Sequence, residues 1–377
     1  MKFNKKFLIM VCIIIVIVVL LKLDGTRKNQ TSFRVGWISD LSGPQKKYGT
    51  YEAGKLALEQ INAKGGINGK PLEIIFEDGK CNGAQAVSAM NKLISIDKVD
   101  IVIGGHCTSE SAAIAPIANK NKILMLASIT SSPVLSDSGP YVFRTSPVST
   151  VQSDIVSDLA FKKLNLKNFA VIYELTDYAK AIAETFKDDF IKAGGKVSIF
   201  EGYAPGTNDF RTILQKTDAE GVEGIFLVPQ SPDAGLNLVK QISEMGINAQ
   251  LFGNEAEISQ TNITANPNFY EGMISTMPDF DIINNPKSKL FNDEYNARWN
   301  TGNLPYGIWT AESYDAVYII AEGLKKYGDN VEELKKYLET LSYEGASGSI
   351  SINEHHDGVK TYSLRIVRNG KIEKYQP

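Results

Sequence analysis

The sequence predicts an α/β fold of two doubly wound parallel-sheet units. Three observations carry the prediction. Short apolar runs rich in β-branched residues alternate with stretches of helical period, at the close spacing of β-α repeats. The alternation runs through one series from Phe33 to Ala127 and a second from about Thr150 to Gly253. The chain has 377 residues and 43% hydrophobic content, enough for one large core or two smaller ones.

The first series opens with Phe33–Ser39 (FRVGWIS) as a strand, with Trp37 in the core. Asp40–Tyr51 follows as a loop holding Gly43, Pro44 and Gly49. Ala53, Leu56, Ala57 and Ile61 give Glu52–Ala63 a helical period, and Gly65-Gly66 stops it. Leu72–Glu77 reads as strand and Ala84–Ile96 as helix. Asp100–Gly104 is a short buried strand ended by Gly104-Gly105; a helix starts at Thr108 or Ser109, with those hydroxyls as caps. Ile123–Ala127 is the fourth strand. In the second series Gln152–Leu164, Ala179–Ala193, Phe210–Ala219 and Asp233–Met245 read as helices. Phe169–Tyr173, Val197–Phe200, Gly224–Val228 and Gln250–Gly253 read as strands. After Phe269–Met277 the pattern turns helical (Ser288–Trp299, Ile308–Tyr327, Val331–Leu341), and a β-like tail follows from Ser347.

Ligands in open parallel sheets bind beyond the carboxyl ends of the strands. Asp100–Ser111 (DIVIGGHCTSES) is the stretch that fits this best. A helix N-terminus there offers free N–H groups and a positive dipole end, and Thr108 and Ser109 add hydroxyl donors. The turn is read as holding the negative group of a small ligand.

Residues 1–32 stand apart. Lys2, Lys5 and Lys6 precede fifteen uncharged residues, Phe7–Leu21, and no small-x-small cleavage site follows. This is an N-terminal apolar helix, read as a signal-anchor with a cleaved signal peptide as the alternative; either exports the body to the outer face of the cytoplasmic membrane. Cys12 lies inside the apolar run and reads as a membrane-facing thiol. Residues 1–32 hold six of the 40 basic residues and one of the 43 acidic ones, so the body carries 34 and 42, a net charge of −8. An acidic exported body argues against nucleic acid or an anionic membrane surface as partner. It retains two cysteines, Cys81 and Cys107, an even count that in an oxidising compartment points to one disulfide.

Enzyme readings find little support. The three histidines are His106 and the pair His355–His356 on a polar turn. Metal-ligand spacing, GxSxG and Walker motifs are missing from the sequence, and no cofactor is expected.

The sequence resembles the type I periplasmic solute-binding proteins of ABC transporters, in the leucine/isoleucine/valine-binding branch. The resemblance runs from Phe33 to about Val367 and is carried by Gly43–Cys81 (with the specific phrase INAKGGINGKPLE), IGGHCTSESAAIAP (Ile103–Pro116), ILMLASITSSPVL (Ile123–Leu135), VFRTSP (Val142–Pro147), FGNEA (Phe252–Ala256) and YEGMISTMP (Tyr270–Pro278). It implies two α/β lobes joined by three crossovers, near Pro147–Thr150, Thr276–Asp279 and Ser342–Ser347. Lobe 1 would take residues 33–148 and 278–343, and lobe 2 residues 149–277 and 344–377. It implies an amino acid held in the cleft, delivered to permease and ATPase subunits. By motif match, Thr108, Ser109, Thr130 and Ser131 would meet the ligand carboxylate. A backbone carbonyl near Ile129 or Thr130, and Glu255 from lobe 2, would meet its ammonium. Tyr48 and Tyr178 match covering aromatics, and Gln230 with Ser231 lies at another cleft-edge loop. His106 stands where branched-chain members usually have an aliphatic residue. Members of that branch carry a bridge at places matching Cys81 and Cys107. Two readings stay open beside amino-acid transport: a sensing domain working with a separate membrane receptor, and a binder of an amide, urea or small carboxylate.

Overall fold

The computed structural model describes residues 31–377, apart from Pro44, Ser231 and Asn303. The signal or anchor reading of residues 1–32 therefore falls almost wholly outside the described residues. Among those described, no helix is long and apolar enough to cross a membrane.

Five strands form the first sheet: β1 (Phe33–Ser39), β2 (Leu72–Asp78), β3 (Ile101–Ile103), β4 (Leu124–Ala127) and β5 (Val142–Arg144). They are parallel, in the order β2-β1-β3-β4-β5. Alternate residues enter opposite cores. Val35, Trp37, Ile101, Ile103 and Leu126 pack on one face. Ile38, Val102, Met125 and Ala127 pack on the other. Both faces are covered by helices, and the central strands β3 and β4 are buried throughout and read as unbroken apolar runs, whereas the edge strand β2 keeps Glu73 exposed.

The second sheet repeats the plan with β6 (Asn168–Glu174), β7 (Lys196–Tyr203), β8 (Gly224–Val228), β9 (Gln250–Gly253) and β10 (Ile274–Pro278). Its helices Asp177–Lys192 and Pro232–Met245 lie on opposite faces, in separate cores. The helices Pro286–Trp299, Ile308–Tyr327 and Val331–Glu339 return to the first unit. Val317, Ile320, Leu334 and Leu338 enter its core, and Phe291 and Tyr295 pack with Ala53 and Leu56 of the helix Thr50–Ala63.

The third crossing departs from the sequence expectation. The reading sends the chain back to the second unit at Ser342–Ser347. Instead β11 (Ser342–Gly345), β12 (Gly348–Ile352) and β13 (Gly358–Val359) form a small antiparallel sheet of their own. Ile350 and Ile352 enter the first unit's core. Asp315, buried in the helix Ile308–Tyr327, accepts from the N–H groups of Ala346 and Ser347, both at 2.7 Å. Arg144 clamps the following turn, with its guanidinium 2.6 Å from buried Asp357. The chain crosses only between Val359 and Tyr362, where β14 (Tyr362–Arg368) pairs antiparallel with β10 and carries β15 (Lys371–Lys374). Residues 344–359 thus belong with the first unit.

Cys81 and Cys107 are bonded, with Cα atoms 5.2 Å apart and a sequence separation of 26. The bond ties the turn after β2 to the turn after β3. On the chain-entropy model a loop of that length contributes about 3.5 kcal/mol. Reduction of the purified protein should lower the unfolding free energy by about that amount, read as a fall in denaturant midpoint, with a slope that rises as the unfolded chain loses its cross-link. An unmoved midpoint would mean that the bond constrains nothing that folding does not already fix.

Candidate ligand site

In a sheet ordered β2-β1-β3, neighbouring loops leave toward opposite faces between β1 and β3, and a crevice opens there. The second sheet has the same switch point between β6 and β8. The two crevices face each other. Gln45 and Tyr48 come from the loop after β1, His106 to Thr108 from the turn after β3, and Ile129 to Ser131 from the loop after β4. Opposite them stand Tyr178 after β6, Gln230 after β8, and Glu255 and Ala256 after β9; Trp309, in the first turn of its helix, completes the wall. The space in which a water molecule could place its centre is about 40 Å³. That is enough for several waters, so the cavity favours a small ligand.

The turn after β3 is built by backbone needs. Gly104 has φ +125°, and a Cβ there would stand 2.2 Å from the Ile38 carbonyl oxygen. The sequence expectation makes Thr108 or Ser109 the helix cap. The structure puts Cys107 at the cap and Thr108 inside the helix. The cap's work falls to Glu110, whose carboxylate accepts from the N–H groups of His106 at 2.7 Å, Cys107 at 2.8 Å and Cys81 at 3.0 Å. Thr108 and Ser109 are then the first two helical residues, whose N–H groups precede any intrahelical acceptor.

Eight of the nine expected site residues line the one cavity: Tyr48, Thr108, Ile129, Thr130, Ser131, Tyr178, Gln230 and Glu255. Ser109 does not. Its hydroxyl donates to the Cys81 carbonyl at 3.0 Å, and it borders the larger outer cleft. A helix turns about 100° per residue, so if Thr108 faces inward its neighbour cannot. Thr130 lines the wall, but its hydroxyl is engaged with Gly105 O at 2.9 Å and Ser111 Oγ at 2.7 Å, which locks the two loops together. Ser231 lies outside the described residues. Gln45, Ala256 and Trp309 were not singled out by the sequence reading; nor was the wall formed by Cys107 with its bridge.

Glu255 is the main charge in the cavity. It is 3% exposed. Its Oε1 accepts from Tyr178 OH at 2.8 Å, and its Oε2 has no hydrogen-bond partner among the described residues. Gln152 fixes the loop from behind, its Oε1 accepting from Glu255 N and Thr276 Oγ1, each at 3.2 Å. Burial pushes the Glu255 carboxyl up from 4.5 to about 7, against the opposing effect of the Tyr178 hydrogen bond. Across the cleft, Tyr48 OH and Gln45 Nε2 donate to Gln230 O at 3.3 and 3.4 Å. Such contacts hold the two units in a closed arrangement.

This arrangement defines a class: a two-lobed binding protein that encloses a small polar solute between the strand ends of both lobes. A family model described as periplasmic binding protein matches residues 32–371. The leucine-, isoleucine-, valine-, threonine- and alanine-binding protein of Pseudomonas aeruginosa is 30% identical over 331 residues, spanning 86% of this chain and 87% of its own. The Leu/Ile/Val-binding protein of Escherichia coli K12 is 27% identical over 330 residues, spanning 86% and 87%. Among solved structures, LivJ of Streptococcus pneumoniae, a branched-chain amino acid transporter substrate-binding protein in complex with isoleucine, superposes with a TM-score of 0.80 at 26% identity, over 91% of this chain and 98% of its own. An ABC-transporter solute-binding protein of Rhodopseudomonas palustris with 3,4-dihydroxybenzoic acid gives 0.82 at 23% identity, over 92% and 96%, a likeness of fold. The chain belongs to the periplasmic binding protein family, in its leucine/isoleucine/valine-binding branch, and is a solute-binding protein of the ABC-transporter type.

The raised Glu255 carboxyl has a sign that can be checked on the empty protein. Between pH 5 and 7 the folded chain holds a proton that the unfolded chain has already released. Glu255 therefore subtracts stability as pH rises through that window, by up to about 1.4 kcal/mol per unit. In chemical denaturation from pH 5 to 8, the gap between Glu255→Gln and wild type should widen with pH in favour of the variant. A gap that stays constant would place the titration elsewhere.

Proposed function

We propose that the cavity captures a small neutral amino acid as its zwitterion and presents it, closed between the lobes, to a membrane permease driven by ATPase subunits. The observation that carries this reading is Glu255. A buried carboxylate with one oxygen that finds no hydrogen-bond partner among the described residues is costly unless a cation joins it. An ammonium within the cavity supplies that cation in a charge-assisted pair. The turn at Thr108, with Ser131 beside it, offers N–H and hydroxyl donors for the ligand carboxylate at the other end. The names of the relatives are in keeping with this, since all refer to neutral amino acids. An aromatic acid or urea would bring no cation to Glu255. The apolar stretch Phe7–Leu21 would keep the body at the outer face of the membrane.

Glu255 and Thr108 separate the two ends of the ligand. Glu255→Ala should cost the complex roughly 2–5 kcal/mol, about 30- to several-thousand-fold in affinity. Thr108→Ala should cost less, because backbone donors of the same turn remain. Calorimetry on both variants against a panel of neutral amino acids, with melting temperature as control, makes the comparison. Equal small losses would mean that Glu255 holds no ammonium.

A further inference from the structure

The cavity wall contains a second buried polar atom that the zwitterion does not use. His106 is 5% exposed, and its ring lies on the wall, stacked on Tyr48 with centroids 5.4 Å apart. Its Nδ1 is 3.2 Å from Ser39 Oγ and 3.3 Å from Thr50 Oγ1, and those two hydroxyls are 3.2 Å from each other. Its Nε2 is buried and has no hydrogen-bond partner among the described residues.

The hydroxyl pair decides which nitrogen carries the proton. If Nδ1 accepts, one hydroxyl donates to the other or to the ring, the second donates to the ring, and both protons are used. If Nδ1 donates, three protons share a closed triangle in which one hydroxyl proton has no acceptor. The first arrangement satisfies more groups, and it leaves Nε2–H as a donor. Burial keeps the ring neutral, with its pKa pushed down to about 3.

We infer that His106 is the specificity-determining residue of this site, and that it selects an amino acid whose side chain carries a neutral oxygen, of the size of threonine or serine. The inference rests on the amino-acid reading of the cavity and names the side chain within it. An aliphatic side chain would seal Nε2–H into the closed complex unpaired, whereas a hydroxyl or amide oxygen would accept from it. Asp and Glu side chains are disfavoured by Glu255 and by the lack of Lys or Arg among the lining residues. The small cavity disfavours the long amides.

Threonine and valine differ by a hydroxyl in place of a methyl, so they test this directly. Isothermal titration of the purified full-length protein should show threonine binding tighter than valine by about 5- to 150-fold. His106→Leu should level or invert that ratio, and His106→Gln, which keeps an N–H donor, should retain a preference for threonine. Valine bound as tightly as threonine by wild type overturns the inference, and does so without any variant having to fold. If no amino acid binds at all, the amino-acid reading falls and the inference with it. If leucine and valine bind while threonine does not, the amino-acid reading stands and the role of His106 is wrong.

Discussion

A carboxylate shut away from water with only neutral groups around it is the constraint on which this molecule turns. Glu255 sits at the carboxyl end of β9 in the second lobe, held from behind by Gln152 and from the side by Tyr178. Its ionised form is disfavoured until a cation arrives. The donors that would hold the other end of a zwitterion belong to the first lobe. A ligand satisfying both ends therefore binds the closed arrangement better than any open one, and that differential affinity is what closure requires. The protein's own cross-cleft bonds include two long ones between neutral groups, from Tyr48 and Gln45 to Gln230 O, and one solvent-exposed ion pair, Lys47 with Asp233, of the kind that contributes little. Contacts of that kind fit a closure that the ligand completes.

The fold was legible in the sequence because doubly wound sheets write themselves locally. The central strands are short apolar runs buried on both faces, and most helices show a 3.6-residue period between glycine or polar stops. The boundaries of Phe33–Ser39, Gly224–Val228, Gln250–Gly253 and Ile308–Tyr327 agree with the structure. The third crossing was not legible. Residues 342–359 alternate in the same β-like way as the strands beyond them. What assigns them to the first lobe is Ile350 and Ile352 meeting a core formed far away in sequence, and Asp315 binding their turn. Three-residue β5 was missed as well, too short to carry a period of its own.

The site was legible where it follows a strand end. Tyr48, Ser131, Gln230 and Glu255 lie in the segment that follows a readable strand, Thr108 and Tyr178 in the first turn of the helix that follows one, and all reach one cavity. Ser109 shows the limit of that logic, since being next to a site residue on a helix turns a side chain away. Trp309 shows another: it opens a helix about two hundred residues beyond the first lobe's other wall residues, and nothing in its neighbourhood marks it as a wall. His106 was noticed as an odd residue in a familiar turn. Only the geometry shows that one ring nitrogen is satisfied by Ser39 and Thr50 and the other is left for something else.

The central claim is that a ligand ammonium meets the Glu255 carboxylate. A carboxyl titrating near 7 is about half protonated at pH 7 in the empty protein, and pairing with an ammonium must expel that proton. Calorimetric titration at pH 7 in buffers of different ionisation enthalpy counts protons exchanged on binding. The account predicts release of roughly half a proton per ligand, abolished in Glu255→Gln. Binding with no proton release, or with the same release in the variant, would contradict it.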